Sequence, residues 1–305
     1  MNVVYFGNPS FSADVLELLV KSNINITTVV TNKDKRGGRG MHMFPTPVKS
    51  YSLKNNLKCI EVEDFNQKLV ENLNNLKPDI FIVVAYRILP EFIFNIPKIG
   101  TINLHTSYLP KYRGPSPIQM TLLNGDTTAG ITTFFIDEKI DTGKIILQNQ
   151  FDIDDKVDFL SLCDKLIIKG SNLLINTVDK ILNEYPNIEL LNQDDSIASK
   201  APKIKKEDLV INLDDSSINI HNRIRALSYM GVYCYFNSKK VFLYNSYFDI
   251  NKKLAIGEYE CIVDYLAIGT GSGALLVSKL KFEGKNYINH IDFYNSNHDK
   301  DKKFE

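Results

Sequence analysis

The first third of the chain alternates between short apolar runs and stretches of helical periodicity, and this alternation restricts the fold more than any other feature. The run at 79–85 is almost continuously apolar, as expected of a strand that is covered on both faces. A helical pattern starts at Ser12, between the first two runs. Such a β–α–β order predicts an α/β fold with a doubly wound, mostly parallel sheet, which binds ligands at the carboxyl ends of its strands. The strands are expected at 2–6, 26–30, 58–62, 79–85 and 101–104.

The pattern changes in the second half. Residues 157–183 predict a long helix, and residues 192–206 have the composition of a linker, rich in Ser, Asp, Lys and Ala. A short helix at 218–227 and several short strands then predict a small antiparallel β-barrel. The expected strands are 232–236, 241–244, 259–265 and 275–280. The expected domain boundaries are 1–191 for the α/β domain, 192–206 for the linker and 207–305 for the barrel.

Composition adds limits on partners and location. The chain has 305 residues with 36 basic and 36 acidic side chains, so a nucleic acid would have to be bound by local patches. Its 4 cysteines are scattered without a CxxC pair, which favours reduced thiols in a cytoplasmic protein over a zinc site or a disulfide framework. No run is long enough to span a membrane, and no signal peptide is recognised. We therefore expect no metal and no membrane partner.

Polar side chains follow the strand at 101–104. Asn103 and His105 are two residues apart, so both leave the same face of the strand before the chain turns at Pro110 and Gly114. An amide beside an imidazole can hold a developing oxyanion and move a proton. Asp141, in an Ile-Asp-Thr-Gly segment, adds a carboxylate. Taken alone, these residues also fit a strand, a surface loop and a plain turn.

The motif Asn-Leu-His-Thr-Ser-Tyr-Leu-Pro at 103–110, followed by Ile-Asp-Thr-Gly at 140–143, resembles the signature of the folate-dependent formyltransferases. The opening Val-Val-Tyr-Phe-Gly-Asn-Pro and the segment Val-Val-Ala-Tyr-Arg-Ile-Leu-Pro at 83–90 resemble the same family. The resemblance extends over nearly the whole chain. It implies transfer of a formyl group from 10-formyltetrahydrofolate to an amine, and an OB-like C-terminal barrel that helps to bind tRNA.

The resemblance assigns catalytic roles to three side chains. A neutral amine attacks the formyl carbon, and the amide of Asn103 donates to the oxyanion that develops there. His105 is expected to supply a second donor and to take part in proton transfer. Asp141 is expected to orient the ring of His105 and to accept the proton of the amine, directly or through water.

Two segments are expected to bind the folate. One carries Tyr86, Arg87, Ile88 and Leu89, whose backbone groups would match the donor–acceptor edge of the pterin. The segment departs from the family, which has a glycine and one further residue between Tyr86 and Ile88. The second segment departs at Thr-Ser-Tyr, where small residues and leucine are more usual. Its members are Ser107, Tyr108, Leu109 and Pro110. Simple loop structure is the alternative for both segments.

Residues 31–49 distinguish between acceptors. They carry five basic residues against one acidic residue, and three glycines. Family members that act on tRNA have an insertion of this length, whereas relatives that act on sugar nucleotides usually lack it. A charged run alone is more often a solvated loop. We expect phosphate contacts from Lys33, Lys35, Arg36 and Arg39 to the acceptor stem of methionyl-tRNA.

Other interpretations stay open. The acceptor could be an amino sugar of a nucleotide-linked sugar, the formyl group could be released to water, or the chain could be a non-catalytic RNA-binding protein. The C-terminal lysines either share one face for RNA or protect sheet edges from pairing. These are Lys239, Lys240, Lys279, Lys281 and Lys285. A monomer is expected.

Overall fold

The computed structural model describes residues 1–22, 24–37, 42–297 and 302–305. The chain forms two compact units, and each is assembled from separate segments. The first unit contains residues 1–117, 129–151 and 163–200. The second contains residues 118–128, 152–162 and 201–305.

A seven-stranded sheet forms the centre of the first unit. The described residues of this unit form nine strands: seven belong to this sheet, and β3 and β4 form a separate two-stranded hairpin. They are β1 (Val3–Gly7), β2 (Ile26–Asn32), β3 (Lys35–Gly37), β4 (His42–Phe44), β5 (Cys59–Val62), β6 (Ile80–Val84), β7 (Gly100–His105), β8 (Thr128–Phe135) and β9 (Ile145–Asp152). The order in the large sheet is β5-β2-β1-β6-β7-β8-β9. The pairs from β5 to β7 are parallel, and β8 runs antiparallel to β7.

Helices alternate with these strands along the chain, and the last of them follows β9; most of the fifth helix and the first residues of the sixth belong to the second unit. They are α1 (Ser10–Lys21), α2 (Pro47–Lys54), α3 (Gln67–Asn75), α4 (Glu91–Phe94), α5 (Pro117–Leu123) and α6 (Phe159–Glu184). All five residues of β1 and all five of β6 are buried, which explains the continuous apolar runs in the sequence. Side chains cap the N-termini of two helices: the Thr46 side chain accepts from the Lys49 N–H, and the Asn66 side chain accepts from the Leu69 N–H.

Among the described residues, the part of the second unit from residue 201 to the C-terminus contains an antiparallel six-stranded sheet and two α-helices. They are α7 (Ser217–Leu227), β10 (Tyr233–Phe236), β11 (Lys239–Asp249), β12 (Tyr259–Cys261), β13 (Leu266–Gly269), β14 (Ala274–Phe282), β15 (Tyr287–Asn289) and α8 (His290–Asn297). The strand order is β10-β11-β14-β13-β12, with β15 paired to β14. Only the start of one predicted strand, 259–265, forms a strand, which is β12. Residues 262–265 form a turn that is closed by backbone hydrogen bonds between Ile262 and Tyr265, and β13 begins after it. The fold class predicted from the sequence is confirmed.

A buried arginine explains why short segments from the middle of the chain belong to the second unit. Arg225 of α7 is 6% exposed, and its guanidinium donates to the carbonyls of Leu122, Asp154 and Val157. Burial lowers the pKa of Arg225. Because a buried guanidinium needs such acceptors, these contacts join α7 to the segments 118–128 and 152–162. In the described ranges, no helix has both the length and the apolarity needed to cross a bilayer.

Candidate active site

Strand β7 places Asn103 and His105 on one face of the first sheet. Asn103 lies opposite Val83 of β6, and His105 lies opposite Thr132 of β8. Asn103 is half-buried, and its side chain forms no hydrogen bond with any residue that the structure describes. Its amide is therefore available to a ligand. His105 is buried, with 6% of its surface exposed.

Two groups flank the ring of His105. Nε2 lies 2.8 Å from the carbonyl oxygen of Tyr112, and Nδ1 lies 3.8 Å from Oδ2 of Asp141. A carbonyl oxygen can only accept, so Nε2 carries a proton and the neutral ring has its lone pair on Nδ1. The tautomer is thus set by the backbone of Tyr112, and Asp141 faces the nitrogen that can take up a proton.

Asp141 lies in the turn between β8 and β9, with a left-handed φ of 56°. Its Oδ2 accepts from the backbone N–H of Gly114 at 2.8 Å, and its side chain is 12% exposed. The turn is packed closely against the end of β8, because a Cβ on Gly143 would lie 1.7 Å from the carbonyl oxygen of Phe135. Asp141 is therefore held by the turn on one side and by the loop after His105 on the other.

Side chains of β8 and β9 anchor the predicted folate loop, residues 107–110. Thr132 accepts from the Leu109 N–H at 3.1 Å and donates to the Ser107 carbonyl at 2.7 Å. Gln148 donates to the Leu109 carbonyl at 2.8 Å. Ser107 is buried and Tyr108 is exposed. Pro110 follows a cis peptide bond. The loop has a defined shape in which Tyr108 is the accessible side chain.

The other predicted folate segment follows the carboxyl end of β6. Leu89 is buried, Ile88 is 72% exposed, and the Tyr86 ring packs edge-on against Phe6. Arg87 lies 4.1 Å over the ring of Phe65 and donates to the Glu63 carbonyl. Among the described residues, the peptide N–H and C=O groups of residues 86–89 have no hydrogen-bond partner. Peptide groups left open in this way can bind an outside ligand.

Unpaired side-chain atoms occur at the same place. Tyr86 Oη, Arg87 Nε and Arg87 Nη2 are buried without a hydrogen-bond partner. Burial raises the pKa of Tyr86. These unpaired donors lie beside peptide groups that have no hydrogen-bond partner. Such a site can bind a heterocycle that carries both hydrogen-bond acceptors and donors.

Three of the four predicted tRNA-binding residues lie in the described part of the chain. Lys33 is exposed and forms an ion pair with Glu63 at 2.7 Å, which raises the pKa of Lys33. Lys35 and Arg36 belong to β3. Arg39 lies outside the described residues.

Several groups in the site give no signal in the sequence. The Tyr112 carbonyl and the Gly114 N–H are backbone atoms, which any residue type supplies. Gln193 and Ser199 come from the segment with linker composition, yet Ser199 Oγ accepts from the Tyr112 N–H at 2.9 Å. Within the described residues, no group of three or more potential metal ligands is present.

Comparison with known proteins identifies the family of this site. The formyl transferase family model matches residues 1–178, and the formyl transferase C-terminal domain model matches residues 203–298. The chain belongs to the formyl transferase family. The formyltransferase predicted from the sequence is thus confirmed as a transferase of this family.

Curated relatives agree with this assignment, and a solved structure shares the fold. The chain is 37% identical to methionyl-tRNA formyltransferase of Thermotoga maritima, over 93% of this chain and 92% of the relative. It is 41% identical to the enzyme of the same name from Bacteroides thetaiotaomicron, over 75% and 72%. WlaRD, a sugar 3N-formyl transferase crystallised in the presence of dTDP and 5-N-formyl-THF, shares the fold at a TM-score of 0.66 and 22% identity, over 94% and 99%.

Proposed function

We propose that this formyltransferase transfers the formyl group of 10-formyltetrahydrofolate to the α-amino group of methionyl-tRNA, in the cytoplasm, at the start of protein synthesis. The observation that carries the proposal is the 37% identity, over 93% of the chain, to a relative named methionyl-tRNA formyltransferase. Sugar formyltransferases resemble this chain at lower identity, 22% for WlaRD, which concerns the fold alone.

The free amide of Asn103 supports its role as the oxyanion donor. In the reaction the α-amine adds to the formyl carbon, the carbonyl oxygen becomes negatively charged, and Asn103 Nδ2 donates to it. One such donor contributes about 2.7–4 kcal/mol in other enzymes. Because the amide is neutral, it stabilises this charge without requiring a proton shift.

His105 and Asp141 then move protons. The amine must be neutral to attack and must lose a proton after attack. Asp141 Oδ2 is held by Gly114, while Oδ1 has no hydrogen-bond partner among the described residues and can accept this proton. His105 Nδ1, 3.8 Å from Asp141, takes up this proton from Asp141 in the proposal and then passes it to the leaving folate nitrogen.

The open peptide groups of residues 86–89 support binding of the pterin by Tyr86, Arg87, Ile88 and Leu89. Ser107, Tyr108, Leu109 and Pro110 form the second wall in this proposal. Arg87 lies over the ring of Phe65, and we propose that the backbone of this segment, not the guanidinium, contacts the pterin. The chemistry requires no metal, and we propose that chelators leave the activity unchanged.

Lys33, Lys35, Arg36 and Arg39 are proposed to bind the tRNA acceptor stem, together with the C-terminal domain proposed for residues 207–305. The functional unit is proposed to be a monomer. Replacing Arg39 by Ala should raise the KM for methionyl-tRNA and reduce its salt dependence, because one phosphate contact is lost. Kinetics that stay normal at all salt concentrations would contradict this role.

A competition experiment tests the acceptor. The protein is incubated with 10-formyltetrahydrofolate, labelled in the formyl group, and equal concentrations of methionyl-tRNA and an amino-sugar nucleotide. Label on the tRNA supports the proposal. Label on the sugar, or release of the label as formate, would contradict the proposed acceptor. If the protein binds RNA but transfers no label, it is a non-catalytic RNA-binding protein.

A further inference from the structure

We infer that the RNA binding proposed for the C-terminal domain uses the outer face of its sheet, where the bases of an unpaired segment stack on aromatic rings; this inference rests on the proposed function. One row of paired residues crosses four neighbouring strands. Tyr233 of β10 pairs with Phe242 of β11, Phe242 pairs with Lys281 of β14, and Lys281 pairs with Tyr287 of β15. Because paired residues project from the same side of a sheet, these side chains form a continuous line.

Two adjacent rows extend this line into a surface. Tyr235 pairs with Lys240 in one row, and Tyr244, Lys279 and Asn289 are paired in the other. We call the whole set the aromatic–lysine face. Its members are Tyr233, Tyr235, Lys240, Phe242, Tyr244, Lys279, Lys281, Tyr287 and Asn289.

The aromatic–lysine face is not part of the core. The alternate residues of the same strands are fully buried, including Cys234, Val241, Leu243 and Leu280. Tyr287, by contrast, is 53% exposed. The rings therefore line the side of the sheet that is turned away from the core, where such a concentration of aromatic residues indicates a binding surface.

Charge on the aromatic–lysine face favours a polyanion. Lys240 lies 3.8 Å over the ring of Tyr233, and Lys279 lies 4.1 Å over the ring of Tyr287. Among the described residues, the one acid that forms an ion pair with a lysine of this face is Glu283, 3.7 Å from Lys240. A cation–π contact between a lysine and a solvent-accessible ring is weak. Bases can therefore displace the lysines and stack on the rings, and the ammonium groups can then bind the phosphates.

Three of the five C-terminal lysines considered in the sequence share this face: Lys240, Lys279 and Lys281. Lys239 lies on the opposite side of β11, and Lys285 lies in the turn after β14. Lysines alone are sufficient to protect a sheet edge from pairing, so that purpose does not explain the five rings beside these three lysines.

The test uses fluorescence anisotropy with the full chain and a labelled single-stranded RNA of about 12 nucleotides, within the range that one such sheet covers. Replacing Tyr287 by Leu keeps an apolar side chain but removes the ring, and should raise the Kd about 10-fold. Tyr287→Phe should bind like the wild type. Lys281→Gln should reduce the slope of log K against log salt by about 0.7.

Matched controls replace residues that are not members of the aromatic–lysine face. Tyr185→Leu removes an equally accessible ring, 44% exposed, and Lys253→Gln removes an exposed lysine. Neither should change RNA binding. The inference is overturned if Tyr287→Leu binds like Tyr185→Leu, if a duplex of the same length binds as tightly as the single strand, or if only an acidic peptide binds. Formyl transfer is measured separately and does not enter this test.

A different observation assigns a positioning role to Gln193, and this second inference rests on the proposed function. Its Oε1 accepts from Arg113 Nε at 3.0 Å and Nη2 at 2.8 Å. Its Nε2 donates to the carbonyls of Asp141 and Gly143, both at 2.9 Å. All four hydrogen-bonding positions of the amide are used, and a flipped amide would place like against like at every contact.

Gln193 joins the two loops that carry the proposed proton-transfer groups. Arg113 lies between Tyr112, whose carbonyl orients His105, and Gly114, whose N–H holds Asp141. The other end of the amide fixes the turn of Asp141. Gln193 therefore maintains the 3.8 Å separation of His105 and Asp141 by holding their loops together. It contacts neither the His105 ring nor the Asp141 carboxylate.

Gln193→Glu and Gln193→Ala test this role. The Glu side chain can still accept from Arg113 but cannot donate to the carbonyls of Asp141 and Gly143. The Ala side chain forms neither the contact with Arg113 nor the contacts with these carbonyls. A misplacement of about 1 Å can cost about 100-fold in turnover, so both variants should lower kcat by about 10- to 100-fold with both KM values within about twofold. Asn192→Ala, an exposed amide next in sequence, is the control.

A spectroscopic measurement keeps the test independent of acceptor identity. The ¹⁵N spectrum of the His105 ring should show the Nε2–H tautomer in the wild type and a mixture of tautomers in Gln193→Ala, with His105→Gln used for assignment. An unchanged tautomer together with kcat equal to that of Asn192→Ala would overturn the inference. Absence of formylation by the wild type would count against the proposed function, and the ring spectrum would still decide about Gln193.

Discussion

Replacing Asp141 by Asn and by Ala separates the chemical role that we propose for this side chain from its structural role. The asparagine side chain in Asp141→Asn can still accept from the Gly114 N–H, and Asn is one of the few residues that readily adopt the left-handed φ of 56° found here. The loss of charge on the acceptor should cost only about 1 kcal/mol of unfolding free energy. The proton acceptor is lost, so kcat should fall about 10²- to 10⁴-fold.

Ala at the same position should be much less stable. It leaves the Gly114 N–H unpaired, which costs about 1–3 kcal/mol, and it forces a residue without a local hydrogen-bonding side chain into a left-handed conformation, which costs about 1–2 kcal/mol. We therefore expect a loss of about 2–5 kcal/mol, measured by urea unfolding, beside the same loss of kcat. Normal turnover by Asp141→Asn would refute the proton-acceptor role, and equal stability of the two variants would refute the structural argument.

Three further predictions follow from single contacts. Asn103→Ala should lower kcat about 10²- to 10³-fold without changing folate affinity by calorimetry, because it removes only an oxyanion donor; unaltered turnover would contradict this role. Gly143→Ala should lower both Tm and turnover, since its Cβ would lie 1.7 Å from a backbone oxygen; a wild-type Tm would show that the turn can move. Burial lowers the pKa of His221, so unfolding binds a proton below the unfolded pKa of about 6.5. Stability should therefore fall as pH decreases from about 6.5 towards the lower folded pKa, and a His221→Gln variant with the same pH dependence would contradict this assignment.

The sequence was informative wherever side-chain periodicity decides the structure. The continuous apolar runs of β1 and β6 predicted buried parallel strands, and the two-residue spacing of Asn103 and His105 predicted their shared face. Strands β8 and β9 were not predicted, because their residues mix apolar and polar types without a clear alternation.

Other features could not be predicted because they depend on contacts between distant segments. The Tyr112 carbonyl and the Gly114 N–H orient the site through backbone atoms, which leave no trace in residue type. Gln193 lies in a segment whose composition is typical of a linker, although its amide is fully hydrogen-bonded within the first unit. The inclusion of the segments 118–128 and 152–162 in the second unit depends on Arg225 and its distant carbonyl partners, which no linear pattern shows.

The central claim is that Asn103, His105 and Asp141 surround one formyl group. The most direct measurement is a crystal structure of the protein with a 10-formyl folate analogue that cannot transfer its formyl group. Our account predicts a formyl oxygen about 3 Å from Asn103 Nδ2, with the formyl carbon on the side of the strand that His105 and Asp141 share. A formyl carbon more than about 10 Å from all three side chains, beyond direct or single-water contact, would contradict the account.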